Sequence, residues 1–141
     1  MPTGIMNRMA DNARSDCPLS AALDLFGDRW TLLVIRDLAF RGKRSFSEIR
    51  DSPEGVATNI LADRLERLEA GGIVTKTRDP EDGRRFSYGL TDKGKDLIPA
   101  LVELIVWSAA HHEGTHAAPG FVEAALSDRD SLIDELRAAL A

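Results

Sequence analysis

Apolar positions recur with the period of a helix through most of this chain, and one central stretch instead has the composition of strands. Just before Gly71 and Gly72, apolar side chains return every three or four positions, which predicts an amphipathic helix over 57–70. Two β-rich runs follow, over 73–78 and 85–90, around a turn-forming loop. The pattern therefore predicts a helix followed directly by a β-hairpin. The predicted buried face of the helix comprises Ile60, Leu61, Leu65 and Leu68.

Three shorter helices are predicted before this unit. The first begins after Cys17 and ends at Gly27, with an apolar face made of Leu19, Ala22, Leu23 and Phe26. The second runs from about residue 28 to 40, and a hydroxyl of Ser45 or Ser47 caps a short third helix. Two helices followed by a hairpin are the order found in a winged helix-turn-helix. We therefore expect a mainly α fold with a small β-hairpin wing.

Two long apolar stripes follow the hairpin and have no obvious partner within the chain. Thr91 caps a long helix in which Pro99 should cause a kink, and a linker over 111–120 leads to a last helix over 121–140. Together with the first helix, these stripes predict a symmetric homodimer. The alternative is that the same helices close over the winged domain of a monomer. The expected interface residues are Leu19, Leu23, Leu97, Leu101, Leu104, Ile105, Trp107, Leu132 and Leu136.

A chain of 141 residues fits one domain, and no apolar run approaches the roughly 20 residues of a membrane span. Residues 1–16 are polar and resemble no signal peptide, so we expect a disordered tail and a cytoplasmic protein. The winged helix-turn-helix unit should cover 17–110, including the start of a dimerisation helix. The linker and C-terminal dimerisation helix should cover 111–141.

Charge is distributed unevenly along the chain. The formal net charge is -5, yet residues 29–95 carry 14 basic and 11 acidic side chains, whereas residues 96–141 carry 2 and 8. A basic middle would orient this part of the molecule toward an anionic partner. Segment charges of this size also arise by chance, so charge alone does not decide the partner.

The predicted helix over 57–70 is the candidate reader of double-stranded DNA. Asn59 projects away from its buried face, and an amide side chain matches the donor and acceptor of adenine in the major groove. Thr58 suits a phosphate or a thymine methyl group. Arg67, four residues after Asp63, is placed to neutralise that carboxylate. The remaining predicted contacts to the DNA backbone are Lys43, Arg44, Ser45, Ser47, Arg64, Arg67, Lys76, Arg84 and Arg85.

The chain resembles the HxlR-type bacterial transcriptional regulators, which are related to MarR-type regulators. Five segments carry the resemblance: Cys17-Pro18, DRWTLLVIRDL at 28–38, RSFSEI at 44–49, NILADRL at 59–65 and YGLTDKG at 88–94. It implies a winged-helix fold, a dimer, operator binding, and control in some members through a cysteine at the position of Cys17. Two features depart from the family: Ala57 replaces a serine cap, so Thr58 or the preceding turn must satisfy the first amides, and the wing loop is closer to the MarR type.

Two further groups of residues each have a functional and a structural interpretation. Cys17 is either a redox or electrophile sensor or a half-buried small residue. His111, His112, Glu113 and His116 have metal-ligand side chains but are typical of solvated histidines at a helix end, so no metal is expected.

Trp30, Phe46 and Trp107 are expected in the core or an interface, and a small hydrophobic ligand pocket between the DNA-binding unit and the dimer helices is a further hypothesis. We expect no cofactor and no enzymatic activity. The alternative function is a winged-helix module that binds protein through the same surface.

Overall fold

The computed structural model describes residues 15–140, so most of the predicted N-terminal tail lies outside the described residues. The helices and strands are α1 (Pro18–Phe26), α2 (Thr31–Phe40), α3 (Phe46–Arg50), α4 (Thr58–Ala70), β1 (Val74–Arg78), β2 (Phe86–Leu90), α5 (Asp92–Lys95), α6 (Ile98–His111), α7 (Phe121–Ser127) and α8 (Arg129–Ala138). Within this part of the chain, none of the helices has the length and apolar content needed to span a bilayer.

One core cluster joins the helices to the hairpin. Leu61, Leu65 and Leu68 are buried on one face of α4, as their spacing predicts, and they pack in one cluster with Ile35 of α2 and Val74 of β1. Ile60, assigned to the same face, is only half-buried. Because the buried face of α4 is fixed against α2, its opposite face is left in solvent. The predicted mainly α fold with a winged helix-turn-helix is confirmed.

The two strands form an antiparallel hairpin with Val74 opposite Leu90 and Arg78 opposite Phe86. A third segment joins its edge, since the amide of Tyr88 donates to the carbonyl of Arg44 at 2.7 Å. This bond places the segment before α3 beside the wing. The hairpin thus holds α3 and its own tip on the same side of the molecule.

The long helix predicted after the wing is two helices, which corrects the expected kink at Pro99. The first turn-and-a-half, α5, is capped by Thr91, whose hydroxyl accepts from the amide of Gly94 at 3.1 Å. A new helix, α6, then begins after Leu97, with Pro99 in its first turn. Proline lacks an N–H, and first-turn amides have no intrahelical acceptor, so this position costs no ladder hydrogen bond.

The last helix is also divided, at Asp128, whose φ of -155° leaves the helical region. Its carboxylate accepts from the amide of Ser131 at 3.1 Å and so starts α8. The apolar stripe of α7 and α8 has a partner inside the chain, because Ala125 and Leu132 are buried against Ile98 and Val102 of α6. The C-terminal helices therefore complete a second core cluster.

Four of the predicted interface residues lie inside this fold. Leu101 is 5% and Leu132 is 8% exposed, and Leu97 and Leu136 are half-buried against the two core clusters. Their apolar stripes are satisfied by packing within the chain. This corrects the assignment of Leu101 and Leu132 to a dimer interface, whereas for the half-buried Leu97 and Leu136 the assignment stays a prediction.

Candidate nucleic-acid interface

The N-terminal turn of α4 is the most exposed part of the predicted reading surface. Thr58 and Asn59 are both exposed, while Leu61, two residues later, is fully buried. Ala57 is the N-cap, and among the described residues no side chain accepts a hydrogen bond from the first amides. The expectation that Thr58 or the preceding turn satisfies these amides is therefore wrong. Free first-turn amides and the positive end of the helix dipole favour an anion at this position.

The helix before the reader is held by a capping box. The hydroxyl of Ser45 accepts from the amide of Glu48 at 3.1 Å, and the Glu48 carboxylate accepts from the amide of Ser45 at 3.0 Å. Hydrogen bonds from the amides of Arg44 and Ser45 lower the pKa of Glu48, although the side chain is exposed. Ser45 is thus the cap of α3, one of the two serines, Ser45 or Ser47, that the sequence offers for this role. Ser47 is exposed and lies 3.3 Å from it, hydroxyl to hydroxyl.

The wing tip is shaped by carboxylates and presents two arginines. The Asp79 carboxylate accepts from the amides of Glu81 and Asp82 at 2.8 and 3.3 Å, which closes the turn. The side chains of Arg84 and Arg85 are 93% and 79% exposed. Their only charge partner among the described residues is Asp82, at 3.4 and 3.9 Å. Such pairs are weak in solvent, so both guanidiniums are available to a phosphate.

A groove of about 740 Å³ separates α3 from the wing. It brings together five predicted site residues, because Arg44, Ser45 and Ser47 line one wall and Arg84 and Arg85 line the other. The sequence places these two groups about 40 residues apart. The hydrogen bond between the hairpin edge and the segment before α3, together with the packing of Phe46 against the core, makes them neighbours.

Lys76 is placed differently from the wing arginines. Its ammonium lies over the ring of Phe86, 4.3 Å from the ring centre, and Arg78 contacts the same ring at 5.0 Å. A depression beside Lys76 is bordered by Glu66 and Glu69 of α4. The positive charge of Lys76 therefore faces the acidic second half of the reading helix.

Arg64 is a structural arginine, which corrects its predicted contact with DNA. Its Nε donates to the Asp28 carboxylate at 2.8 Å, and its Nη1 is hydrogen-bonded to Asp63. Burial raises the pKa of Asp28, but hydrogen bonds from Thr31, Arg64 and the amide of Trp30 outweigh it and hold that pKa well below its usual range. The interaction fastens α4 to the start of α2.

Arg67 also points toward the body of the protein. Its Nη2 donates to the carbonyl of Asp24, at the end of α1, at 3.2 Å. The carboxylate of Asp63 is neutralised by Arg64, not by Arg67 as the spacing of four predicts. Both arginines of α4 therefore contact the body of the protein, but Arg67 is exposed, so its contact with DNA stays a prediction.

A buried carboxylate, Asp37, organises the turn that leads into α4. It accepts hydrogen bonds from Arg36 at 2.8 Å and from the hydroxyl of Ser52, and Lys43 lies 3.7 Å from it. Because Lys43 is also hydrogen-bonded to Ser52, its charge is used inside the protein. This corrects its predicted role as a free backbone contact.

The same network extends to the turn through Glu54. Arg36 donates to both oxygens of Glu54, at 2.7 and 2.9 Å, in a bidentate ion pair. Hydrogen bonds from Arg36 lower the pKa of Glu54 to about 2. Arg41 lies 3.6 Å from Asp37 and is exposed. Three cations therefore surround two carboxylates before the reading helix begins.

Sequence reasoning missed the acidic partners of these cations. The signal at Asp28 is visible, because an aspartate just before a helix commonly accepts from nearby backbone amides, and here it accepts from the amides of Trp30 and Thr31 at 3.0 and 3.2 Å. Asp37 shows no comparable signal, since it occupies a polar position between apolar residues of α2. Only the fold brings Ser52, 15 positions later, against it.

The predicted sensor, Cys17, is exposed and is the N-cap of α1. The same helix presents Leu19 and Leu23 to solvent. On α6, Leu104 and Trp107 are exposed as well, with Trp107 at 57%. These four apolar side chains remain the uncovered part of the predicted interface, together with the half-exposed Ile105.

The histidines after α6 are engaged with the helix end. The rings of His111 and His112 lie 5.1 and 5.4 Å from the Trp107 ring, and His112 Nδ1 forms a 2.9 Å hydrogen bond with Ser108. The other two aromatic residues predicted for the core or an interface, Trp30 and Phe46, pack against the first core cluster. Their predicted place in the core agrees with the structure.

Several curated proteins are similar in sequence, and two of them serve as examples. The uncharacterized HTH-type transcriptional regulator sll1512 of Synechocystis is 35% identical over 88 residues, which cover 62% of this chain and 64% of that protein. The uncharacterized HTH-type transcriptional regulator YvaP of Bacillus subtilis is 37% identical over 98 residues, 69% of this chain and 90% of that protein. The matched region thus spans less than two thirds of the first relative and most of the second.

Solved structures share the fold. A candidate transcription factor, PA1607, superposes with a TM-score of 0.66 and 37% identity over 74% of this chain and 73% of its own. The redox regulator HypR in its oxidized form superposes with a TM-score of 0.60 and 27% identity over 69% of this chain and 99% of its own. The HxlR-like helix-turn-helix model matches residues 25–116. The chain therefore belongs to the HxlR-like helix-turn-helix family of transcriptional regulators.

Proposed function

We propose that this protein is a cytoplasmic, non-enzymatic regulator that binds a palindromic DNA operator as a homodimer. The observation that carries the proposal is the uncapped N-terminus of α4, with Thr58 and Asn59 exposed on it. Asn59 would contact a base edge, and Thr58 a phosphate or a thymine methyl group. Glu66 restricts the contact to the first two turns, because a carboxylate repels the DNA backbone, whereas the charge of Asp63 is paired with Arg64.

Backbone contacts come from the groove between α3 and the wing. Arg44 and Ser47 on one wall, and Arg84 and Arg85 on the other, can hold phosphates of the DNA backbone. These contacts would set the register of α4 on the duplex. Sequence would then be read by Asn59.

The exposed apolar side chains support a dimer. Leu19, Leu23, Leu104 and Trp107 are large hydrophobic residues in solvent on two helices, and such surfaces mark protein interfaces. A two-fold axis would present two copies of α4 to half-sites about one helical turn apart, or a multiple of it. Sedimentation of the purified protein, with and without Leu104→Ser, tests this step.

The central experiment measures binding to the protein's own upstream intergenic DNA at several salt concentrations. We expect Asn59→Ala to cost about 1–3 kcal/mol and to relax specificity at one base pair of each half-site. Arg84→Ala should weaken binding evenly across sequences and reduce the salt slope by about 1. Arg137→Gln, a change on α8 outside the interface, is the control and should leave affinity unchanged.

The alternative, a module that binds protein through α4, is supported by the exposed carboxylates Asp63 and Glu66 on this helix. The salt series separates the two functions, because DNA binding releases counterions from phosphate and is therefore weakened by added salt. Affinity for DNA should fall by orders of magnitude between roughly 50 and 200 mM salt. Equal affinity of Asn59→Ala and the unaltered protein for every DNA tested would refute operator reading by α4.

Thiol control through Cys17 is a further part of the proposal. The residue is exposed, it is the one cysteine of the sequence, and the similar structure of HypR is described as that of a redox regulator in oxidized form. With a single cysteine, a disulfide must join two subunits or an external thiol. Diamide should change the DNA affinity of the unaltered protein and leave that of Cys17→Ser constant. An equal response of both proteins would remove Cys17 from the mechanism.

A further inference from the structure

A cavity of about 320 Å³ lies between α2, α6 and the segment that leads into α7. Its apolar wall is formed by the rings of Phe40 and Phe121, which contact each other edge to face with 5.8 Å between the ring centres. Ile105 and Ala109 of α6 form the opposite wall. The volume is at the small end of the roughly 300–1,000 Å³ typical of small-molecule sites. The cavity therefore suits a compact apolar body of one or two rings.

Two arginines also line this cavity, and only one of them has a positive charge that is not fully neutralised by a carboxylate. Arg36 is neutralised by Glu54 at 2.7 Å and Asp37 at 2.8 Å. Arg41 has a single long ion pair, 3.6 Å to Asp37, and its side chain is 42% exposed. Since Asp37 already accepts from Arg36 and Ser52, the positive charge of Arg41 is the uncompensated one.

We propose that this cavity binds a small organic monocarboxylate whose aromatic or branched body packs against Phe40 and Phe121 and whose carboxylate pairs with Arg41. The apolar wall selects the body, and the guanidinium selects the charge. The other side chain at the mouth with a titratable group is His116, which is exposed.

The cavity is connected to the reading helix by a short chain of contacts. Arg41 and Arg36 both reach the Asp37 carboxylate, which accepts from Ser52 in the turn before α4. Arg36 also holds Glu54 in that turn. A ligand that draws Arg41 away from Asp37 changes the charge balance of the turn that positions α4. By linkage, DNA that prefers one arrangement of the turn must change the affinity for the ligand by the same factor.

The cavity shares Ile105 with the predicted dimer interface but not Leu104 or Trp107. With 100° per residue, Leu104 and Trp107 project about 100–160° away from Ile105 and Ala109 around α6. A second copy seated on the first pair leaves the cavity face of the helix open. Ligand and partner can therefore be bound together.

Titration calorimetry with 2-naphthoate and its uncharged counterpart 2-naphthamide tests the site. We expect one naphthoate per chain, bound at least tenfold more tightly than the amide. Arg41→Gln should reduce this preference to less than threefold. Arg50→Gln is the matched control, because Arg50 is 45% exposed, also has a single ion pair, and lies outside the cavity; it should keep the full preference.

A second variant tests the apolar wall without removing charge. Ala109→Phe places a ring in the cavity and should abolish binding of both probes, while circular dichroism shows an unchanged fold. Equal binding of naphthoate and naphthamide to the unaltered protein would overturn the proposal. So would an Arg41→Gln variant that keeps the tenfold preference.

The regulatory consequence rests on the proposed function and is measured separately, by fluorescence anisotropy of labelled upstream DNA. Saturating naphthoate should change DNA affinity at least threefold in the unaltered protein and not in Arg41→Gln. Carboxylate binding without any DNA binding would support the site and refute the DNA function. DNA binding that is indifferent to bound naphthoate would overturn the coupling.

Discussion

The ion pair between Asp28 and Arg64 should be a measurable part of the stability of this protein, because it fastens the reading helix to α2. Their side chains are only 23% and 18% exposed, and the Nε to carboxylate distance is 2.8 Å. Exposed pairs contribute about 0.2–1 kcal/mol, and hydrogen bonds to charged groups about 1.5–3 kcal/mol. A half-buried pair with this geometry should contribute a coupling energy of about 1–2 kcal/mol.

The assay is a double-mutant cycle of Asp28→Asn and Arg64→Gln. The free energy of unfolding of each variant is measured by urea denaturation at one fixed protein concentration. Asparagine still caps α2, so the cycle isolates the charge interaction from the cap. The reference pair is Arg50 with Asp51, 45% and 70% exposed, for which we expect less than about 0.5 kcal/mol.

The pH dependence has a definite sign. The pKa of Asp28 is lowered in the folded protein, so the stabilisation is complete above its unfolded value near 4 and is lost as the pH falls below it. Asp28→Asn should remove this part of the acid sensitivity. A coupling energy no larger than that of the Arg50 pair would refute the reasoning that burial strengthens the interaction.

Three further results are expected. Glu54→Gln should flatten the loss of stability between about pH 4.5 and 2, because its pairing with Arg36 lowers the carboxyl pKa to about 2; acid titration followed by circular dichroism measures this, and an unchanged curve would contradict it. Gly94→Ala should lower the unfolding free energy by more than about 2 kcal/mol in a thermal melt, since its Cβ would lie 2.3 Å from the Ile73 carbonyl oxygen; a normal melting temperature would show that the backbone yields. Trp107→Ser should raise the dimer dissociation constant at least tenfold in sedimentation equilibrium, and equal dissociation constants would exclude the exposed face of α6 from the interface.

The sequence predicts elements well where one local signal decides them. The spacing of Leu61, Leu65 and Leu68 defines the buried face of α4, and the hydroxyl of Ser45 begins α3 as its position before Glu48 suggests. The hairpin begins and ends within one residue of the predicted strands. In each case the information lies within a few residues of the feature.

Predictions fail where distant residues compete for the same group. Arg64 and Lys43 have the charge for phosphate binding, but Arg64 pairs with Asp28 and Lys43 with Asp37. Neither ion pair is visible from local spacing. Leu132 looks unpartnered because its partners on α6 lie about 30 positions away in the chain. Which apolar or basic residues stay free is therefore decided by tertiary contacts.

The packing of α7 and α8 on α6 also has a consequence for shorter homologues. These two helices lie beyond residue 116, where the family match ends, yet Ala125 and Leu132 shield Ile98 and Val102 from water. A homologue that stops after the equivalent of α6 would expose this apolar surface to solvent and become prone to aggregation unless it carries hydrophilic side chains there. The character of those positions should thus vary in step with the presence of the appendage, and that correlation can be read directly from sequences.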